Sequence, residues 1–315
     1  MLCQFAHQFP YFVESFLEQG RSLRRRFREE TVTDVMMGSL ITAGGGRVVV
    51  EFPNEPVTGA DMEWNFVNTS DGTFFRILLQ AKQAYGEGKS WMRHGYKELL
   101  HTSGTGPNLQ AETLCDTARA PGSATYPLYI LYHPAQTCAL VQKYGSTLLS
   151  GVNLADGFVI EKLVKAANTR ALRTRNKSLK AIAPHLFSLT DLFCPPTVCP
   201  VGPVAFAPGM FPIPMYVSTA TGRPVLGVPI PPTPRDIRDR IANRRKGDLA
   251  WTSEMQDTTV PEVPRVSETI PDDVKAIIAR RVDGAVGAPE PLNRWRMTFI
   301  TTIPRDVPGA PSAES

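Results

Sequence analysis

The sequence predicts an α/β protein: a mixed β-sheet with an antiparallel hairpin, flanked by helices, and followed by a Pro-rich irregular C-terminal region. Three observations carry this reading. Two apolar, strand-like runs, 63–67 and 74–81, are joined by Asn68-Thr69-Ser70-Asp71-Gly72, and the Asp-Gly pair is a strong hairpin signal. Segments with apolar residues at helical spacing flank these strands and alternate with a further strand. Of the 28 prolines, 20 fall at or after Pro195, so composition shifts near residue 194. The expected units are residues 1–194 and residues 195–315.

Element by element, Phe5 to Phe16 reads as an amphipathic helix. Ser22 to Ala43 reads as a second, with Val32, Val35, Met36 and Leu40 on one face, and Gly44-Gly45-Gly46 stops it. Arg47 to Phe52 is a β-branched strand, followed by the hairpin strands Glu63 to Val67 and Phe74 to Ala81. Gly95 to His101 and Leu109 to Ala118 read as helices. Tyr126 to His133, an apolar run flanked by Pro127 and Pro134, suits a buried central strand. Leu154 to Ala167 reads as a further helix. Beyond it, Pro195 to Pro234 is ordered but irregular, with short strands. Helices are expected at Asp236 to Lys246 and from Pro271 through Arg281, whose acids suit a first turn. Trp295 to Ile303 alternates as a late strand, and the last dozen residues are expected to be disordered.

Hydrophobic content of 42% and charged content of 20% describe a folded, soluble chain. No window approaches the roughly 20 apolar residues of a membrane helix, so no membrane partner is expected. The aromatic start carries Glu14 and Glu18 and lacks a basic region, unlike a signal peptide. Five cysteines at irregular spacing argue against a disulfide framework and for the cytoplasm. Cys194 and Cys199 are the only close pair, and no further ligands at zinc-site spacing accompany them. The net charge of +4 permits a nucleic-acid partner without demanding one. Its distribution says more. Lys162, Lys165, Arg170, Arg173, Arg175, Lys177 and Lys180 follow one another with no acid between them. Arg21, Arg24, Arg25, Arg26 and Arg28 form a second cluster. A charge run is usually a solvated face, but two runs around one candidate site favour a polyanionic substrate.

That site follows from the hairpin. Residues equidistant from an antiparallel turn lie opposite each other. Asp61 stands as far before the turn at Ser70 and Asp71 as Gln80 to Lys82 stand after it. The three therefore meet at the open end, with Gln80 and Lys82 on one strand face.

Gly59-Ala60-Asp61 with Gln80-Ala81-Lys82 resembles the signature of the PD-(D/E)XK nuclease superfamily, in its Mrr-type variant where Gln replaces the usual Asp or Glu. The segment Arg28-Glu29-Glu30-Thr31-Val32-Thr33-Asp34 resembles the acidic first helix of that superfamily. The run from Arg28 through His133 is similar to a bacterial family of unknown function assigned to it. The likeness covers about residues 25–190 and does not reach residues 200–315. It implies a restriction-endonuclease-like fold and phosphodiester hydrolysis. It also implies a bacterial restriction or antiphage setting, with a defence-system partner or a homo-oligomer in view.

In such a site Asp61 would ligate Mg²⁺ (or Mn²⁺) through oxygen, with Gln80 and the Ala81 backbone carbonyl as further ligands. Lys82 would orient water or stabilise the transition state. Because Gln80 brings no charge, one ion is favoured over two. An acid from the first helix completes the set: Glu29 falls on the apolar stripe, and a twist of one residue would substitute Glu30. Glu55, Glu63 and Gln110 are supporting candidates. Lys165, Arg170, Arg173, Arg175, Lys177 and Lys180 are the expected phosphate contacts. His94 and His101 lack metal-pair spacing and read as solvated or capping side chains. The expectation is a DNA endonuclease, with RNA not excluded. A non-catalytic nuclease-fold module that binds nucleic acid or protein is the rival.

Overall fold

The computed structural model describes residues 2–23, 27–44, 47–51, 60–86, 88–90, 93–102, 108–144, 149–167, 169–195, 198–201, 215–218, 224–225, 231–249, 261–282 and 295–301. The chain opens with α1 (Leu2–Ser22) and α2 (Glu29–Ala43), then β1 (Val48–Glu51) and the hairpin of β2 (Met62–Asn68) and β3 (Thr73–Gln83). Next come α3 (Gln110–Ala118), β4 (Thr125–Tyr132), α4 (Ala135–Tyr144), β5 (Val152–Asp156) and α5 (Gly157–Lys165). The helices α6 (Arg170–Asn176) and α7 (Leu179–Ile182), the strand β6 (Leu186–Ser188) and the helix α8 (Leu189–Phe193) follow. The Pro-rich region contributes β7 (Val198–Val201), β8 (Met215–Ser218) and β9 (Pro224–Val225), a small sheet of its own. The chain continues with α9 (Pro234–Leu249), α10 (Asp272–Val282) and β10 (Trp295–Thr301).

The main sheet is mixed, with seven strands in the order β1-β10-β2-β3-β4-β5-β6. The β10–β2 and β3–β4 pairs are parallel and the rest antiparallel. Helices cover both faces. On one face, Val32, Met36 and Leu40 of α2 and Phe9 and Val13 of α1 share a core with Trp64, Phe66, Phe75, Ile77, Met297 and Phe299. On the other, Ala111 and Leu114 of α3 and Ile160 and Val164 of α5 pack with Leu78, Tyr129 and Leu131. Strand alternation assigns the two sets. Among the described residues, no helix is long and apolar enough to cross a membrane.

The hairpin forms as its turn chemistry dictates. Asn68 pairs with Thr73 across the turn, and Gly72 takes φ +73°, a conformation that costs glycine little. The Asp71 carboxylate accepts the amide and hydroxyl of Thr73 at 3.0 and 2.7 Å, which fixes the register.

Several expectations are corrected. The helix read from Ser22 to Ala43 is divided: α1 runs through Ser22 and α2 starts only at Glu29, after an extended Arg28 (φ −82°, ψ 164°). Acids in a first turn suit the helix dipole and arginines oppose it, so the helix begins where the charge changes sign. Gly95 to His101 holds only a short turn of 3-10 helix, Lys97–Leu100. Gly95 instead bridges Tyr85 and Ser178, and a Cβ there would lie 2.5 Å from the Lys177 carbonyl oxygen. The helix read from Leu154 to Ala167 begins with a strand, β5. Asp156 ends that strand and caps α5 by accepting the Phe158 amide at 2.8 Å.

The boundary at residue 194 does not divide the sheet. β10, from the Pro-rich part, lies between β1 and β2, and Ile237 and Ile241 of α9 enter the main core. A strand's neighbours are set by long-range packing, which local composition does not encode. The irregular spacing that argued against a disulfide framework also missed a bond: Cys3 and Cys194 form a disulfide across 191 residues, a separation at which spacing carries no signal. Cys115 and Cys138 are free and buried. The tail and most of the irregular stretch before α9 lie outside the described residues.

Candidate functional site

Beyond Leu79, which pairs with Met62, β3 continues to Gln83 past the start of β2. There Asp61 takes the place of a strand partner. Its Oδ2 accepts the Ala81 amide at 2.7 Å and the Gln80 Nε2 at 2.5 Å. Both hydrogen bonds that Asp61 accepts among the described residues fall on Oδ2, so Oδ1 remains for another partner. Gln80 is buried, and its Oε1 has no hydrogen-bond partner among the described residues. A buried, unsatisfied carbonyl oxygen beside a carboxylate is costly unless something binds it.

Lys82 comes from the same face of β3 as Gln80 and is 3% exposed. Its Nζ lies 3.4 Å from Glu29 Oε1. Glu29 is the first residue of α2, so the helix start fixes where its carboxylate enters. Glu30 is exposed and makes no such contact. Of the two acids left open by the sequence, Glu29 is the one that meets Lys82.

The electrostatics are those of acids crowded together with too few cations. Burial pushes the Glu29 carboxyl up to about 7, against the pull of Lys82, with Asp61, Glu98 and Glu30 adding repulsion. Burial also raises Asp61, opposed by Lys82 and by the hydrogen bonds from Ala81 and Gln80. The donor set of Asp61 Oδ1, Gln80 Oε1, the Ala81 carbonyl and Glu29 is all oxygen. That chemistry fits a hard divalent cation. The Ala81 amide already faces Asp61, and in a strand the carbonyl of the same residue points the same way.

The supporting candidates divide. Glu63 is fully buried and lies within ion-pair distance of Arg76 (3.3 Å) and Arg296 (2.9 Å), so it belongs to an adjoining charge cluster that also holds Asp273. Gln110 opens α3 and has a buried Oε1 without a partner among the described residues. Glu55 lies outside the described residues. His94 is not solvated: it is buried, its Nδ1 3.2 Å from the Thr137 hydroxyl and its Nε2 3.1 Å from the Gly88 carbonyl oxygen. His101 is exposed and caps the 3-10 turn, as expected.

The basic run is less uniform than its sequence. Lys165 pairs with Glu161 at 2.8 Å and with Glu112 at 3.7 Å. Arg170, Arg173, Arg175 and Lys180 are exposed and Lys177 half-buried, and none has an acidic partner among the described residues. The same segment is tied to the loop before Glu98. The Tyr96 amide donates to the Lys177 carbonyl at 2.9 Å, and the Leu179 amide to that of His94 at 2.8 Å. Of the second arginine cluster, Arg24, Arg25 and Arg26 lie outside the described residues.

Two residues went unforeseen. Glu98 adds charge beside Glu29 from a turn with no distinguishing pattern. Tyr129 pairs with Gln80 across β3 and β4, and its buried hydroxyl has no partner among the described residues. The strand register alone, had it been known, would have pointed to it.

No curated protein and no solved structure matches the chain. The profile of a family of unknown function, DUF6615, matches residues 2–305, and the chain belongs to that family.

Proposed function

We propose that the chain is a metal-dependent nuclease of the PD-(D/E)XK kind that hydrolyses phosphodiester bonds in DNA. One observation carries the reading: at the open end of a hairpin, Asp61, the unsatisfied Gln80 oxygen and a Lys82–Glu29 pair converge. A structural ion pair would account for Lys82 and Glu29. It leaves the unsatisfied Gln80 oxygen without a reason.

Asp61, Gln80 and the Ala81 carbonyl would hold Mg²⁺ or Mn²⁺, and Glu29, paired with Lys82, would bind it or its water. The bound cation would supply Lewis acidity and charge neutralisation at the phosphate. The chain's own groups do the rest. Gln80 and the Ala81 amide fix the Asp61 carboxylate through Oδ2. Lys82, buried beside Glu29, would stabilise the extra negative charge that develops on the phosphoryl oxygens. Glu29, with a pKa near 7, can accept a proton from water at neutral pH. The exposed cations Arg170, Arg173, Arg175 and Lys180, linked through the Lys177–Leu179 segment to the loop bearing Glu98, suit the phosphate backbone.

The test is incubation of the pure protein with plasmid DNA, and separately with RNA, in Mg²⁺ or Mn²⁺. Nicking that EDTA stops and that Lys82→Ala abolishes is the expected result. Cleavage that persists in Lys82→Ala would reject the assignment. Retarded migration of DNA without cleavage under any of these conditions would favour a non-catalytic binding module.

A further inference from the structure

A second group of ligand-type side chains lies outside the site just described. Cys3 and His7 are four residues apart on α1, which places them on one helix face. Cys194 closes α8 and meets them from the far side, its Cα 4.6 Å from that of Cys3. The ligand atoms of all three lie within 4.8 Å of one another. His7 is exposed and makes no hydrogen bond among the described residues, so its ring nitrogens are available to a ligand. A disulfide uses only the two sulfurs, and the His7 ring adds a third ligand atom within reach of both.

We propose that the reduced form of the Cys3–His7–Cys194 cluster binds a soft divalent cation, zinc, through two thiolates and one imidazole. The oxidised form is the disulfide. An external thiol reductant supplies two electrons and two protons, becomes a disulfide itself, and leaves Cys3 and Cys194 as thiols. Zinc then displaces the two thiol protons to solvent and takes His7 as a third ligand, with a fourth position for water. Either form ties the first helix to the end of α8. Cys115 and Cys138 are buried with pKa values pushed well up, so they do not compete for the ion. This site differs in kind from the all-oxygen set at Asp61, and its existence is independent of the nuclease reading.

Cobalt(II) is the probe, because a thiolate ligand gives it a charge-transfer absorption that an oxygen site does not. Full-length reduced protein should bind cobalt with that absorption, at one ion per chain, and zinc should bleach it. The oxidised protein, which needs no mutation, should show none. Cys3→Ser/Cys194→Ser should also show none, and His7→Ala should bind about tenfold or more weakly. Reduced protein without a thiolate–cobalt band overturns the proposal. So does an equal band in the double serine variant, or an unchanged affinity in His7→Ala.

Discussion

Replacing Glu29 with Gln should make the metal-free protein more stable at neutral and alkaline pH, by an amount that depends on pH. In the fold the carboxyl is pushed from 4.5 to about 7, chiefly by burial. Between those values the native state holds a proton that the unfolded chain has released. Stability from this group is therefore full below 4.5, and is lost as pH rises through about 7. At about 1.4 kcal/mol per pH unit, the loss between pH 5 and pH 8 is about 2–3 kcal/mol. Gln is neutral throughout, as protonated Glu is, so the variant should nearly match wild type in the acid range and exceed it at pH 8. Urea unfolding in EDTA at several pH values measures the gap. Saturating Mg²⁺ or Mn²⁺ should narrow it, because a cation favours the ionised carboxylate. Stability profiles that run parallel from pH 5 to pH 8 would refute the buried, charge-crowded site.

Three further outcomes are expected. Gln80→Glu should tighten Mn²⁺ binding by adding an anionic ligand, yet lower metal-free stability by about 1–3 kcal/mol, since Asp61 loses a donor and gains a like charge. Calorimetric binding and thermal melts read the two effects separately. Glu63→Gln should cost about 3–5 kcal/mol in chemical denaturation, because it leaves the Arg76 and Arg296 guanidinium groups without the buried acid they share. Replacing Arg170, Arg173 and Arg175 together with Ala should weaken DNA binding equally on unrelated sequences. It should also lower the log–log salt slope by up to about 3, as fluorescence anisotropy over a salt series would show.

The hairpin and the pairing of Asp61 with Gln80 were legible in the sequence because a tight turn fixes register over a few residues. Glu29 was legible through the apolar stripe of its helix. In the structure Glu29 opens α2 and meets Lys82, although the sequence alone suggested a helix already running from Ser22. What stayed hidden depends on chain segments far apart. β10 pairs with β2 across more than half the chain, Cys3 meets Cys194, and Lys165 finds Glu112 in space. Local periodicity carries no term for any of these. The strand at Val152 to Asp156 was missed for a different reason. Its pattern runs without a break into that of α5, and the Asp156 cap that separates them is visible only in its hydrogen bonds.

The central claim is that the Asp61–Gln80–Ala81 end of the hairpin holds a divalent cation. Crystals grown with Mn²⁺, measured for anomalous scattering, test it most directly. The account predicts a manganese peak in ligand contact with Asp61 and the Gln80 side-chain oxygen, at about 2.0–2.3 Å as for small hard cations, and no such peak in Asp61→Asn. A well-ordered hairpin end with no peak, the Gln80 oxygen bonded instead to a protein group, would contradict it.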